Sequence, residues 1–179
     1  MSTSSGSPPS AWKLSTDVYL GLGGNLGDPP ATFRKAIGQI SDFAQIIGVS
    51  KLYRSKPYGF SDQPDFYNAA TRISTDLDPL DLLARLQEIE QKLGKKVVRE
   101  NGPRIIDLDL LLYGDDSLNL PDLQLPHPGI LERDFVLRPL HDLNPALSHP
   151  NWQGKSLQDA LTELGQSFLF ESPMPFDFN

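Results

Sequence analysis

The sequence predicts an α+β fold in which one sheet carries the helices. Three observations predict it. "DVYLGLGG" alternates apolar and small residues with a period of two. Two amphipathic stretches each open on Asp-Pro, at Asp28 and Asp78. "NGPRIIDLDLLLYG" (101–114) is an Ile/Leu-rich strand broken only by Asp107 and Asp109.

The elements follow in order. Val18, Leu20 and Leu22 form the inward face of a first strand. Asp28 caps a first helix with proline at its opening positions, and Phe33, Ile37, Ile40 and Phe43 or Ala44 recur at helical spacing. "IIGVSKLYRS" reads as a second strand starting after Gly48, and "FYNAATRIST" as a third. Between them "KPYGFSDQPDF" is a loop of Pro, Gly and Asp, long enough to carry function. Asp78 and Pro79 start a second helix, whose faces are marked by Leu80, Leu83, Leu86, Ile89, Glu90 and Leu93 and which Gly94 stops. "KKVVRENGP" is a second loop, with Lys95, Lys96, Arg99 and Arg104 in or beside it. The aspartate-bearing strand comes fourth. Strand, helix, strand, strand, helix, strand is the ferredoxin-like βαββαβ order. A proline-broken C-terminal extension follows, with "SLQDALTELG" as a last short helix.

The 179 residues suit one domain over 16–179, preceded by a Ser/Gly/Pro tail over 1–15 expected to be disordered. The absence of cysteine removes disulfides, thiolate catalysis and cysteine-based zinc sites. A net charge of −7 argues against general nucleic-acid binding. No stretch approaches the roughly 20 apolar residues of a membrane span, and no apolar leader opens the chain. The expectation is a cytoplasmic protein with no membrane or nucleic-acid partner.

In a strand, residues i and i+2 share a face, so Asp107 and Asp109 lie side by side about 6.5–7 Å apart. Ile106, Leu108 and Leu110 then face the core. Two anions at that spacing repel by about 3 kcal/mol at an effective dielectric near 20. Protonation, pairing with cations or a bound metal would relieve them. Magnesium commonly uses one or two carboxylates plus substrate phosphates. A solvated face paired with Lys or Arg is the plainer reading, and for "DLD" alone the better one. Arg104, three residues before Asp107, shifts the balance, because carboxylates beside a guanidinium are the recurring kit of phosphoryl transfer.

"GLGGNLGD" fits neither the dinucleotide fingerprint, since Leu26 stands at its third glycine, nor the phosphate loop. Gly23 and Gly24 instead suit a tight turn or the close approach of a flat ligand, and Asn25 suits a cap or a left-handed position. Phe66 and Asn68 share a strand face. They are either a grip for a flat heterocycle or a core ring with a structural amide. His127 sits between prolines in a constrained loop, with Arg133 and Phe135 close behind. Gln87 and Glu90 lie one helical turn apart.

Together "LGLGGNLGD", "LYRSKPYGFSDQPDFYNAA", "GPRIIDLDLLLYG" and "LPHPGILERDFVLRPL" resemble, in order and spacing, the 6-hydroxymethyl-7,8-dihydropterin pyrophosphokinases of folate synthesis. The resemblance covers about residues 17–165. It implies transfer of the β,γ-pyrophosphoryl group of ATP to the pterin hydroxymethyl, with release of AMP. It implies two magnesium ions held at Asp107 and Asp109, with Arg104 and Lys95 serving the transfer. Phe66 and Phe135 would sandwich the pterin and Asn68 would bond its edge. Gly23 and backbone near Ser55 and Tyr58 would complete that pocket. ATP contacts carry over to Gln87, Lys96, Arg104, Leu110, His127 and Arg133. The loop before "GPR" departs from many members, with lysine where arginines often stand and Asn101 in place of a tryptophan. It is expected to act as a basic lid. A monomer is expected. The rival readings are a non-catalytic ferredoxin-like metabolite-binding regulator and a single-stranded RNA binder.

Overall fold

The structure is a computed structural model that describes residues 15–96, 99–165, 167–170 and 173–177. Of the expected N-terminal tail only Ser15 falls among them, and it donates to Asp76 at 2.8 Å. The elements run β1 (Thr16–Gly24), α1 (Pro29–Ile40), β2 (Gln45–Val49), β3 (Tyr53–Ser55), β4 (Phe66–Thr75), α2 (Pro79–Lys92) and β5 (Asp107–Tyr113). A short hairpin follows, β6 (Leu118–Leu120) and β7 (Leu123–Leu125), then α3 (Asp134–Leu143) and α4 (Leu157–Glu163).

The main sheet is antiparallel in the order β2-β4-β1-β5, with β3 also pairing β4. β2 and β3 are two halves of one edge strand, interrupted at 50–52. Taken as one strand they complete the ferredoxin-like βαββαβ topology. Both Asp-Pro starts act as read: the Asp28 and Asp78 carboxylates accept from Ala31 and Asp81 backbone N–H groups. Gly94 ends α2 with a left-handed φ of 95°.

The structure departs from expectation at Gly48 and Leu80, and adds two features. The second strand begins at Gln45, and Gly48 lies inside it beside a register shift rather than before it. A glycine there costs little, because a bulge relaxes the ladder. Leu80 is 53% exposed, and the buried stripe of α2 is Leu82, Leu86, Ile89 and Glu90. Two positions lie about 200° apart round a helix, so Leu80 points away from the stripe that starts at Leu82. Gln87 is exposed while Glu90, one turn on, is buried, so only Glu90 reaches the core. The β6–β7 hairpin was not foreseen, because its strands are three residues each and carry no period long enough to read.

Helices α1 and α2 cover one face of the sheet. Val18, Leu20 and Leu22 meet Phe33, Ile37, Leu86, Ile106, Leu108 and Leu110 there. On the opposite face α3, α4 and the turn at Ile130 bury Tyr19, Leu111 and Leu112. A register shift against β1 falls beside Leu111, so Leu111 and Leu112 both join this second core, while Tyr113 returns to the first. The second helical layer covers only part of its face, and the uncovered part is a cleft. No helix among the described residues is long and apolar enough to cross a membrane.

Candidate active site

The cleft floor is written in the strand register. Asn68, Gly23 and Asp107 form one row across β4, β1 and β5, and Ala70, Gly21 and Asp109 form the next. All six line the cleft. Glycine in the central strand leaves a shallow channel between the amide on one side and the carboxylates on the other. Gly23 lies beside the Asn68 amide, whose oxygen would sit 3.6 Å from a Cβ placed there. Gly24 serves another purpose: a Cβ would run into the Ile105 carbonyl, so the glycine admits a crossing backbone. Neither glycine makes a turn.

Asn25 does not take a left-handed conformation, and is a side-chain hub instead. Buried at 7% exposure, it donates to Gln63 Oε1 and the Pro64 carbonyl, both at 2.9 Å. Its Oδ1 accepts the Arg104 N–H at 3.0 Å. Gln63 Nε2 donates to the Phe60 and Asn101 carbonyls at 2.5 and 2.6 Å. The Arg99 guanidinium lies 3.7 Å from the Phe60 ring centroid. The two loops expected to cover the site therefore touch each other. Gln63 carried no signal of this in sequence, being one polar residue in a polar loop.

The carboxylates of Asp107 and Asp109 have different surroundings. Asp107 binds Lys95 Nζ and Arg104 Nη1, each at 2.6 Å. Arg104 also donates to the Gly102 carbonyl and lies 5.4 Å from the Phe66 centroid. Lys95 reaches Glu90 at 3.0 Å as well. Burial alone would lower the Lys95 ammonium, but Asp107 and Glu90 outweigh it and hold the value above the ordinary one. Burial raises Glu90, against the help of the Leu108 N–H at 2.7 Å and of Lys95. Asp109 opens onto the cleft, yet the surrounding protein displaces most of the bulk water that would solvate it. That desolvation, then Asp107 and then Glu90, pushes its carboxyl up to about 7.

These residues fit a magnesium ion. The donors are hard carboxylate oxygens on one face, and Asp109 carries a charge that its surroundings leave under-compensated. Among the described residues no group of three or more His, Cys, Asp or Glu could hold a metal. Two carboxylates with the remaining ligands from a phosphate is the usual magnesium arrangement.

An aromatic rim completes the cleft. Phe66, Asn68, Ser55, Tyr58 and Phe135 all line the cleft. Asn68 Nδ2 donates to Ser55 Oγ at 2.9 Å, which orients the amide. Tyr58 and Phe135 are 6.1 Å apart, and the Arg133 guanidinium lies 4.7 Å from the Tyr58 centroid. His127 borders both this cleft and an adjoining one lined by Leu83, Asp109, Leu110 and Pro128. Desolvation, then Arg133, lowers the His127 imidazole, and its Nδ1 accepts the Gly129 N–H at 3.0 Å.

Most of the residues singled out in sequence thus meet in one place. Lys95 stands just behind the cleft, in contact with Asp107. Leu110 buries its side chain in the helix-side core and borders the adjoining cleft. Gln87 and Lys96 are exposed and line neither cleft. Val97 and Val98, in the basic loop, lie outside the described residues.

The fold and the cleft define a class: a ferredoxin-like α+β protein with an acidic, cation-flanked floor and an aromatic rim, suited to a phosphate chain and a flat ring. Comparison with known proteins narrows it. The family model described as 7,8-dihydro-6-hydroxymethylpterin-pyrophosphokinase (HPPK) matches residues 19–145. The 2-amino-4-hydroxy-6-hydroxymethyldihydropteridine pyrophosphokinase of Aquifex aeolicus is 40% identical over 133 residues, 74% of this chain and 83% of that protein. Its namesake in Haemophilus influenzae is 40% identical over 154 residues, 84% of this chain and 92% of that protein. Folic acid synthesis protein fol1 of Pneumocystis carinii is 46% identical over 134 residues, but this chain spans only 18% of its length. The crystal structure of Plasmodium falciparum HPPK-DHPS wild type shares the fold, with a TM-score of 0.67 at 16% identity, over 83% of this chain and 44% of that one. The chain belongs to the HPPK family.

Proposed function

We propose that this chain transfers the β,γ-pyrophosphoryl group of ATP to the hydroxymethyl of 6-hydroxymethyl-7,8-dihydropterin, yielding AMP and the pterin diphosphate, in folate synthesis. One observation carries the reading: in a chain of this family, Asp107 and Asp109 share a cleft floor with Asn68 and an aromatic rim. A regulator that only bound a flat metabolite would not need both carboxylates.

The pterin ring lies between Phe66 and Phe135, with its edge on Asn68 and on backbone near Ser55, Tyr58 and Gly23. The triphosphate runs toward Asp107, Asp109 and Arg104, and the nucleoside toward His127, Arg133 and the cleft beside Leu110. Asp107 and Asp109, with phosphate oxygens, would hold two magnesium ions, which would supply shielding of the triphosphate charge and a more electrophilic β-phosphorus. The substrate hydroxyl forms the new bond to that phosphorus as the bond to AMP breaks and its proton is released to solvent, so no protein nucleophile is needed. The chain aligns the two substrates and meets the charge that builds on the transferred group. Lys95 and Arg104, now on Asp107, are placed to turn to phosphate oxygens. The two loops in mutual contact exclude water, which would otherwise hydrolyse the transferred group. Gln87 and Lys96 enter only if α2 and the basic loop shift toward the nucleotide. The reading includes a cytoplasmic monomer, open to test by gel filtration and cell fractionation.

The test is AMP formation from ATP, magnesium and 6-hydroxymethyl-7,8-dihydropterin. AMP should appear in proportion to pterin, stop with EDTA and resume with excess magnesium. No AMP above background would sink the proposal.

A further inference from the structure

We propose that Phe168 is a positioning residue for the flat-ring pocket, and that Ser167–Phe170 ties together the two walls carrying that pocket. The inference rests on the pterin reading above. It concerns a segment beyond the residues that the family model matches.

One wall is β3 and the loop after it, which supply Ser55 and Tyr58. The other is the start of α3, which supplies Arg133 and Phe135. The segment is bonded to both. On the β3 side the Lys56 N–H donates to the Phe168 carbonyl at 2.7 Å, and the Phe170 N–H to the Arg54 carbonyl at 3.1 Å. Leu169 pairs antiparallel with Ser55 between them. On the α3 side Asp134, only 5% exposed, accepts the Ser167 hydroxyl at 2.8 Å and the Phe168 N–H at 3.0 Å through one oxygen. Asp134 stands between Arg133 and Phe135 in the chain, so this anchor lies at the root of both.

With its backbone held from two sides, Phe168 presents its ring to both rim aromatics. Its centroid is 5.4 Å from Tyr58 and 5.8 Å from Phe135, with interplanar angles of 62° and 79°. These are edge-to-face contacts, the favoured geometry for ring pairs. Phe168 does not itself line the cleft. It acts through Phe135, which is partly open to solvent and would otherwise be free to turn. A ring held in its binding orientation spares the ligand the cost of ordering it. A segment that merely covered the sheet edge would affect stability and leave ring affinity alone.

The test uses the full chain with magnesium, a non-hydrolysable ATP analogue and fluorescent 6-hydroxymethylpterin as probe. Phe168→Ala should raise the Kd for the pterin about tenfold, and the KM for the dihydropterin in step. The KM for ATP should stay within about twofold, as expected for a contact remote from the nucleotide. Phe168→Tyr should restore pterin binding. Phe168→Leu, which keeps bulk without the ring, should keep the wild-type Tm and still bind pterin weakly. Unchanged pterin binding in Phe168→Ala overturns the inference. So does equal weakening of pterin and ATP accompanied by a lower Tm in Phe168→Leu. The wild-type chain separates the two claims. Pterin binding without AMP formation overturns the reading alone, and no pterin binding overturns both.

Discussion

Glu90 is a buried carboxylate, 8% exposed, that accepts the backbone N–H of Leu108, the residue between the two cleft aspartates. Replacing it by glutamine and by alanine separates the worth of its charge from the worth of its oxygen. Burial holds the Glu90 carboxyl above its ordinary value, even with Leu108 and Lys95 working against the shift. A raised value in the folded state has a definite sign. The linked stability is present in full below the unfolded carboxyl's range and is lost as pH rises through the folded value. At neutral pH the ionised group is therefore no net asset as a charge. Lys95 keeps a second anion in Asp107. Glu90→Gln retains an oxygen for the Leu108 N–H and should fall within about 1 kcal/mol of the parent. Glu90→Ala leaves that N–H buried and unpaired and removes packed methylenes, a loss of about 2–4 kcal/mol. For a chain of this size that lowers Tm by roughly 5–15 °C. Urea unfolding followed by tryptophan fluorescence and circular dichroism reads both variants. An alanine variant as stable as the glutamine variant would refute the assigned role of the oxygen. A glutamine variant as weak as the alanine one would show that the charge matters after all.

Three further outcomes are expected. Asp107→Asn and Asp109→Asn should each lower turnover at least about 100-fold, the scale of losing one strong electrostatic contact in a transition state, with the circular dichroism spectrum unchanged; activity near the parent's in either variant rules out its metal role. Gly23→Ala should fold normally and weaken pterin binding, since the added methyl meets the Asn68 amide and the Tyr67 carbonyl only at ordinary contact distance, whereas Gly24→Ala, driven into the Ile105 carbonyl, should lower Tm markedly; the reverse ranking would contradict the register. The His127 ring should titrate below free imidazole in NMR and be neutral at pH 7. A lowered imidazole value means stability is lost as pH falls from the ordinary range through the folded value, so His127→Gln should flatten that acid-side slope, and an unchanged slope would refute the assignment.

Much of the site could be read along the chain because it rests on local rules. Asp107 and Asp109 share a face because side chains alternate along any strand. The two Asp-Pro starts act as caps because a carboxylate one residue before a proline can reach an orphan N–H within the same turn. Phe66 and Asn68 share a strand face by the same alternation, and Tyr58 lies in a loop whose composition already marked it as a connection. What failed were statements about neighbours. Gly48 looks like punctuation, but it sits within β2 at a bulge against β4. Leu80 has helical spacing with Leu83, but it lies on the side of α2 away from the buried stripe of Leu82, Leu86 and Ile89. The conformations asparagine tolerates point to a cap or a left-handed turn at Asn25, while its work is done by a side chain joining loops around Gln63 and Arg104.

The sequence by itself determined the order of the βαββαβ elements, the inward faces of β1 and α1, and the pairing of two carboxylates beside a guanidinium. Hydrogen-bond geometry and side-chain alternation act over a few residues, so a one-dimensional pattern records them. Only the tertiary structure decided that β1 lies between β4 and β5 in a register that aligns Gly23 with Asn68 and Asp107. It alone placed Glu90 behind Lys95, brought the loops around Phe60 and Arg99 together, and set Phe168 against the rim. Those contacts join residues far apart in the chain. They depend on how whole layers pack, and no local period encodes that.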